Sequence, residues 1–223
     1  MPAKRLKIAC VGEAMIEMAS MSLPGTCELG IAGDALNTAI YLRRALPEPH
    51  EVHFITAVGQ DPLSKQMLSF IEAEGVRTDH IGRSGSRGLG LYAISTDSAG
   101  ERSFQYWRSN SAARSLFQYN SGVGFKTLDT FDLVHTTAIS MAILPPAIRQ
   151  GFVGWAKTFR RQGGRLSLDS NYRPALWEDA ETARRCVDEI WKISDIALPS
   201  LDDELALFGD ADEAAVLRRF ETY

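Results

Sequence analysis

The 223-residue chain is expected to fold as an α/β protein, with a mainly parallel sheet covered by helices on both faces and a small accessory β-sheet beside it. Three observations predict this. From residue 131 onward, short apolar runs alternate with helix-period segments, the pattern of parallel strands joined by right-handed crossovers. Earlier, runs at 89–96 and 102–107 flank the turn-rich tetrad Asp97-Ser98-Ala99-Gly100, a hairpin signal. The hairpin breaks the alternation, so it belongs on a sheet of its own. With 45% hydrophobic residues, the chain can bury a substantial core.

Residues 6–11 (LKIACV) are an apolar run ending at Gly12, read as the first buried strand. A helix over 35–46 follows Asp34 as its capping residue, with Leu36, Ala39, Ile40 and Leu42 at helical spacing. Residues 52–58 (VHFITAV) read as a strand stopped by Gly59. Residues 62–73 read as a helix with Leu63, Met67, Leu68 and Ile71 on one side and Gly75 as its stop. Further on, 131–139 is a strand, and Pro145-Pro146 opens a helix to about residue 161 that Gly163-Gly164 closes. A strand at 165–169, a helix at 180–191, a strand at 195–198 and a short helix at 202–208 ending at Gly209 complete the alternation. A last helical pattern comprises Ala215, Val216, Leu217 and Phe220. A sheet that stopped there would leave apolar surface uncovered, so the domain spanning 1–223 is expected to be incomplete at its carboxyl end.

Net charge is −4 and the sequence pI about 5.6. There is no basic stripe with interleaved aromatics, which argues against a nucleic-acid partner. The apolar runs are too short to span a bilayer, and the one after the basic start breaks at Gly12-Glu13, too early for a signal peptide. No membrane partner is expected. Cys10, Cys27 and Cys186 are scattered, giving neither a disulfide framework nor a metal-spaced pair. A reducing, cytoplasmic location is expected. His50, His53, His80 and His135 have no ligand-like spacing, and His135 sits in an apolar strand as a core histidine.

Three segments could build a site for a small polyhydroxy acid. In the first, Gly33 permits close backbone approach, and Asp34 and Asn37 share a helical face on which carboxylate and amide can bind vicinal hydroxyls. The same two residues suit an ordinary capped and solvated first turn. In the second, strand alternation puts Arg102, Phe104, Tyr106 and Arg108 on one face, with Tyr92 joining from the partner strand. Phenol for hydroxyls and guanidinium for a carboxylate suit a hydroxylated anion, though an edge strand carries such residues too. In the third, Asp169-Ser170-Asn171-Tyr172-Arg173-Pro174 follows a strand, where open α/β sheets bind ligands; it also reads as a plain connection. Asp202, Asp203 and Glu204 begin a helix, as its dipole favours, and could organise Mg²⁺ through waters.

These segments resemble the ribokinase-like (PfkB) carbohydrate kinases, most of all their 2-keto-3-deoxygluconate kinases. Gly12-Glu13-Ala14-Met15-Ile16-Glu17-Met18 looks like that subfamily's opening. Residues 32–37 match the family's glycine-glycine-aspartate…asparagine signature, with Ala32 in place of the first glycine. Gly100-Glu101-Arg102, Tyr106-Trp107-Arg108 and Ser111-Ala112-Ala113-Arg114 look like its substrate strand and continuation. DSNYRPALW at 169–177 is the most specific match.

The resemblance implies a three-layer sandwich with a small β lid from segments about 13–33 and 88–108. It implies ATP-dependent phosphorylation of 2-keto-3-deoxygluconate to 2-keto-3-deoxy-6-phosphogluconate, with ATP and Mg²⁺ as cofactors. Gly33, Tyr92, Tyr106, Arg108 and Arg173 would contact the sugar acid, with Asp34 and Asn37 beside them. Ser200 and Asp203 fall where the family carries an asparagine-x-x-glutamate motif near magnesium and phosphate. The family's glycine-alanine-glycine-aspartate segment, with its aspartate base, would lie beyond Tyr223, so this chain alone is expected to be inactive. The lid is expected to support a homodimer. A kinase for a neutral sugar such as fructose or ribose, and a non-catalytic ligand-binding or dimerising remnant, are the alternatives.

Overall fold

The first strand, β1 (Lys7–Val11), sends its side chains into two separate cores. Ile8 and Cys10 enter one, Ala9 and Val11 the other, and all four are buried. A strand buried on both faces needs helices on both sides. The computed structural model describes residues 5–20, 25–96 and 100–223 and shows those helices.

After β1 the chain leaves for two strands, β2 (Met15–Ser20) and β3 (Cys27–Ala32). It returns through helix α1 (Asp34–Ala45) to β4 (Glu51–Ile55), which pairs with β1. A short parallel pair, β5 (Ala57–Val58) and β6 (Gly82–Arg83), flanks helix α2 (Pro62–Ala73) in the chain. The hairpin strands β7 (Gly90–Thr96) and β8 (Arg102–Trp107) follow. Helix α3 (Phe125–Leu128) leads to β9 (Leu133–Thr137), then α4 (Ala138–Ala142) and α5 (Pro146–Arg161). The chain continues as β10 (Arg165–Asp169), α6 (Ala180–Trp191), β11 (Ile196–Leu198), α7 (Leu201–Phe208) and α8 (Glu213–Phe220).

The main sheet has the order β11-β10-β9-β1-β4, and all its pairings are parallel. One face is covered by α1 and α2, through Leu36, Ala39, Met67 and Ile71. The other is covered by α5 and α6, through Phe152, Ala156, Val187 and Ile190. A second sheet, ordered β3-β2-β7-β8, is built from the segments expected to form the lid and is called the lid below. Its outer pairings are antiparallel and its central one, β2 with β7, is parallel. This is the expected α/β architecture with a mainly parallel sheet. Among the described residues no helix is long and apolar enough to cross a membrane.

Local differences have local causes. The run 131–139 is strand only to Thr137, whose hydroxyl accepts from the Ser140 N–H and starts α4. The run 52–58 divides at Thr56, and β5 leaves the main sheet to pair with β6. Gly33, not Asp34, occupies the capping position of α1; Asp34 is the first helical residue. The expected turn residues 97–99 lie outside the described residues.

His135 is 2% exposed, its Nδ1 3.1 Å from the Ser167 hydroxyl. Burial pushes its pKa from 6.5 down to about 4. The unfolded chain therefore takes up a proton that the folded chain refuses, so stability present above pH 6.5 is lost as pH falls toward 4. The thermal unfolding midpoint should drop across that window. A His135→Gln variant, which can keep a polar contact to Ser167, should lose less over the same window, as read by circular dichroism.

Candidate functional site

A cleft of about 420 Å³ opens at the carboxyl ends of β1, β9 and β10. Chain connections diverge there: β1 is followed in the sheet by β4 on one side and has β9 on the other. Such a reversal leaves a crevice outside the strand ends. Glu13 follows β1, Ile139 follows β9, and Asn171 and Arg173 follow β10. The lid adds Met15, Tyr106 and Arg108, and the start of α1 adds Gly33 and Asp34.

Five of the sequence-derived site residues, Gly33, Asp34, Tyr106, Arg108 and Arg173, thus line one cleft. A Cβ at Gly33 would lie 2.4 Å from the Glu13 carbonyl oxygen and 3.1 Å from Ala14 Cα, so any larger residue would push α1 off the strand end. Asp34 Oδ1 accepts from the Ala35 N–H at 2.8 Å, and its Oδ2 accepts from Asn171 Nδ2 at 2.9 Å. Each oxygen keeps a lone pair for a hydroxyl. Tyr106 is half exposed and stacks obliquely on Tyr92, with ring centroids 5.6 Å apart.

Arg108 comes one residue after β8, whose residues are all exposed, and it turns inward. Its Nη2 donates to Glu13 Oε2 in a buried ion pair. Arg173 is 55% exposed; its Nη1 donates to the Tyr172 carbonyl at 2.8 Å and lies 3.4 Å from Asp203 Oδ1. The Asp169 carboxyl is held above the usual carboxylate range by burial. The Asn171 N–H lowers it, and the charges of Asp34 and Asp203 raise it again.

The other sequence-derived residues lie off the cleft lining. Asn37 is exposed on α1. Tyr92 is nearly buried, and its hydroxyl donates to Glu17; burial and that carboxylate raise its pKa. The Ser200 N–H donates to the Ser170 hydroxyl at 2.8 Å, and that hydroxyl reaches Asp203 Oδ2 at 3.4 Å. Glu204 is fully buried against Arg219, 2.9 Å away, so the acidic run at the start of α7 diverges. Among the described residues no group of three His, Cys, Asp or Glu could hold a metal ion. The residues present therefore do not fit a protein-built magnesium cage.

Glu13 and Asn171 are cleft residues that the sequence reading did not assign. Their signal was position alone, just past the ends of β1 and β10. The cleft lining holds two guanidiniums, two carboxylates, of which Glu13 is buried against Arg108, an amide and a phenol. That set can bind several hydroxyls and one anion. Gly33→Ala should cost about 1–3 kcal/mol of stability, the usual range for overpacking, read by urea unfolding, because the clash is with the backbone of residues 13–14 rather than with a flexible side chain.

The profile of the pfkB family carbohydrate kinases matches residues 5–222. A 2-dehydro-3-deoxygluconokinase of Dickeya dadantii is 38% identical over 214 residues, covering 95% of this chain and 68% of that protein. The solved 2-dehydro-3-deoxygluconokinase of Thermotoga maritima superposes with a TM-score of 0.83 at 19% identity, over 99% of this chain and 69% of that one. A fructokinase of Xylella fastidiosa solved with bound ATP gives a TM-score of 0.80 at 25% identity, over 97% and 65%. The chain spans about two thirds of the length of each. With a family match across nearly its whole length and a relative this similar, the chain belongs to the pfkB family of carbohydrate kinases.

Proposed function

We propose that this chain provides the acceptor cleft of a kinase that phosphorylates 2-keto-3-deoxygluconate, the same compound as 2-dehydro-3-deoxygluconate, at its terminal hydroxyl with ATP as donor. The observation that carries the reading is the presence of two arginines, Arg108 from the lid and Arg173 from the end of β10, on one cleft rich in hydroxyl-binding groups. A guanidinium can donate to the hydroxyls of a neutral sugar, but its planar two-pronged match is a carboxylate. The kinship to proteins named for this acid supports the same choice.

In this reading Arg173 donates to the carboxylate of the acid. Its half-exposed guanidinium is held loosely by Asp203 at 3.4 Å and can turn to a better acceptor. Asp34 accepts from sugar hydroxyls on its free lone pairs while Asn171 keeps its orientation. Tyr106 supplies a phenol that donates or accepts, and Met15, Ile139 and Leu176 form the apolar wall. The transfer itself depends on placing the acceptor hydroxyl in line with the γ-phosphate.

Calorimetric titration of the chain tests this. The acid should bind, and fructose should bind at least about tenfold more weakly, the factor expected from about 1.5 kcal/mol for one charged hydrogen bond. Arg173→Ala should weaken acid binding by a similar amount, at the low end because the group is half exposed. Equal affinity for fructose and the acid would favour a neutral-sugar kinase instead.

A further inference from the structure

Resting on the acid-binding reading, the inference concerns Glu13. This residue lies at the joint between the two sheets, after β1 ends at Val11 and before β2 begins at Met15. Its side chain is 1% exposed, so it offers almost nothing to a ligand directly. What it touches is Arg108, across 95 positions of sequence.

The packing around this carboxylate is specific. A Cβ at Gly90, the first residue of β7, would lie 2.8 Å from Glu13 Oε1 and 3.2 Å from Arg108 Cβ. The Glu13 carbonyl blocks a Cβ at Gly33. The ends of β1 and β8 and the starts of β7 and α1 thus converge on one residue. Two glycines make the room for it. Glu13 Oε1 and Arg108 Nε are both buried and without a partner, so the ion pair is made through one prong only. Stripping a buried guanidinium of its counter-charge is strongly unfavourable.

We propose that Glu13 is the positioning residue for Arg108. The pair fixes the end of the lid strand β8 against the end of β1 and presents Arg108 to the sugar acid as a directed, charge-matched donor. Net attraction for the carboxylate then comes from Arg173, and Arg108 discriminates by geometry.

The test is a double-mutant cycle on binding of 2-keto-3-deoxygluconate, measured by calorimetry. Glu13→Gln and Arg108→Ala should each weaken binding at least about tenfold. The double variant should be no weaker than the weaker single, because both changes remove one oriented group. Losses that multiply, or a Glu13→Gln variant that binds like the wild type, would overturn the proposal. Because Glu13→Gln also puts the fold at risk, a ligand-free measurement on the wild type accompanies it. In ¹⁵N-arginine-labelled protein the Arg108 Nε–H, assigned by its loss in Arg108→Ala, should exchange slowly with solvent. Exchange as fast as that of the exposed Arg173 would overturn the proposal whatever the variants do. A wild-type chain that binds no sugar acid while Arg108 Nε–H stays protected would sink the function proposed above and leave the role of Glu13 in holding Arg108 standing.

Discussion

Because β1 is buried on both faces, its two side-chain sets commit the chain to two cores at once. A parallel strand in this position cannot turn back on itself as a hairpin. The chain must cross over, and here it does so after first building half of the lid, β2 and β3, before α1 closes the connection to β4. The carboxyl end of β1 is therefore next to everything functional. Glu13 is in the link to the lid, Gly33 packs on that link, and Asp34 begins the helix that seals the first core.

Each charged group of the cleft already has a protein partner. Arg108 has Glu13, Asp34 has the Asn171 amide, and Arg173 has Asp203. In the proposed reading, binding of an acid is then an exchange of partners rather than the filling of an empty potential. The three contacts differ in how readily they exchange. The Glu13–Arg108 pair is buried and would leave an uncompensated charge if broken. The Arg173–Asp203 contact is half exposed, long and worth little. In the proposed acid-binding reading, selectivity for a carboxylate falls to Arg173 and shape selectivity to Arg108.

Much of the fold was legible because punctuation and period agreed. Pro62 with Gly75, and the apolar spacing of 180–191, gave helix limits that match α2 and α6. Strand 165–169 was bounded by Gly164 on one side and a polar run on the other, and it matches β10. The lid strands β2 and β3 were not legible as strands; only the resemblance pointed to a lid segment at about 13–33. Glu17 sits opposite Gly30 in their register, so neither strand shows a clean apolar alternation. In the site, residue type could nominate Asp34, Tyr106, Arg108 and Arg173, but not their partners. Asn171 meets Asp34 across 137 positions and Glu13 meets Arg108 across 95, contacts that only the topology creates. Residue type likewise could not show that Asn37 is turned to solvent or that Tyr92 gives its hydroxyl to Glu17.

The start of α7 shows what a charge run leaves open. Asp202, Asp203 and Glu204 are consecutive, and a helix sends consecutive side chains in different directions. Glu204 goes to Arg219, which also binds Asp210 and lies over the Phe208 ring, a lock between α7 and α8. Asp203 goes the other way, to Arg173 and the Ser170 hydroxyl. Ser170 receives the Ser200 N–H on the same oxygen, so one hydroxyl ties the end of β11 to the end of β10. Through that tie the position of α7 sets where Asp203 stands, and Asp203 sets where Arg173 rests before a ligand arrives. The geometry thus couples Ser200 and Asp203 to Arg173 through contacts between side chains and backbone that need no metal ion to form.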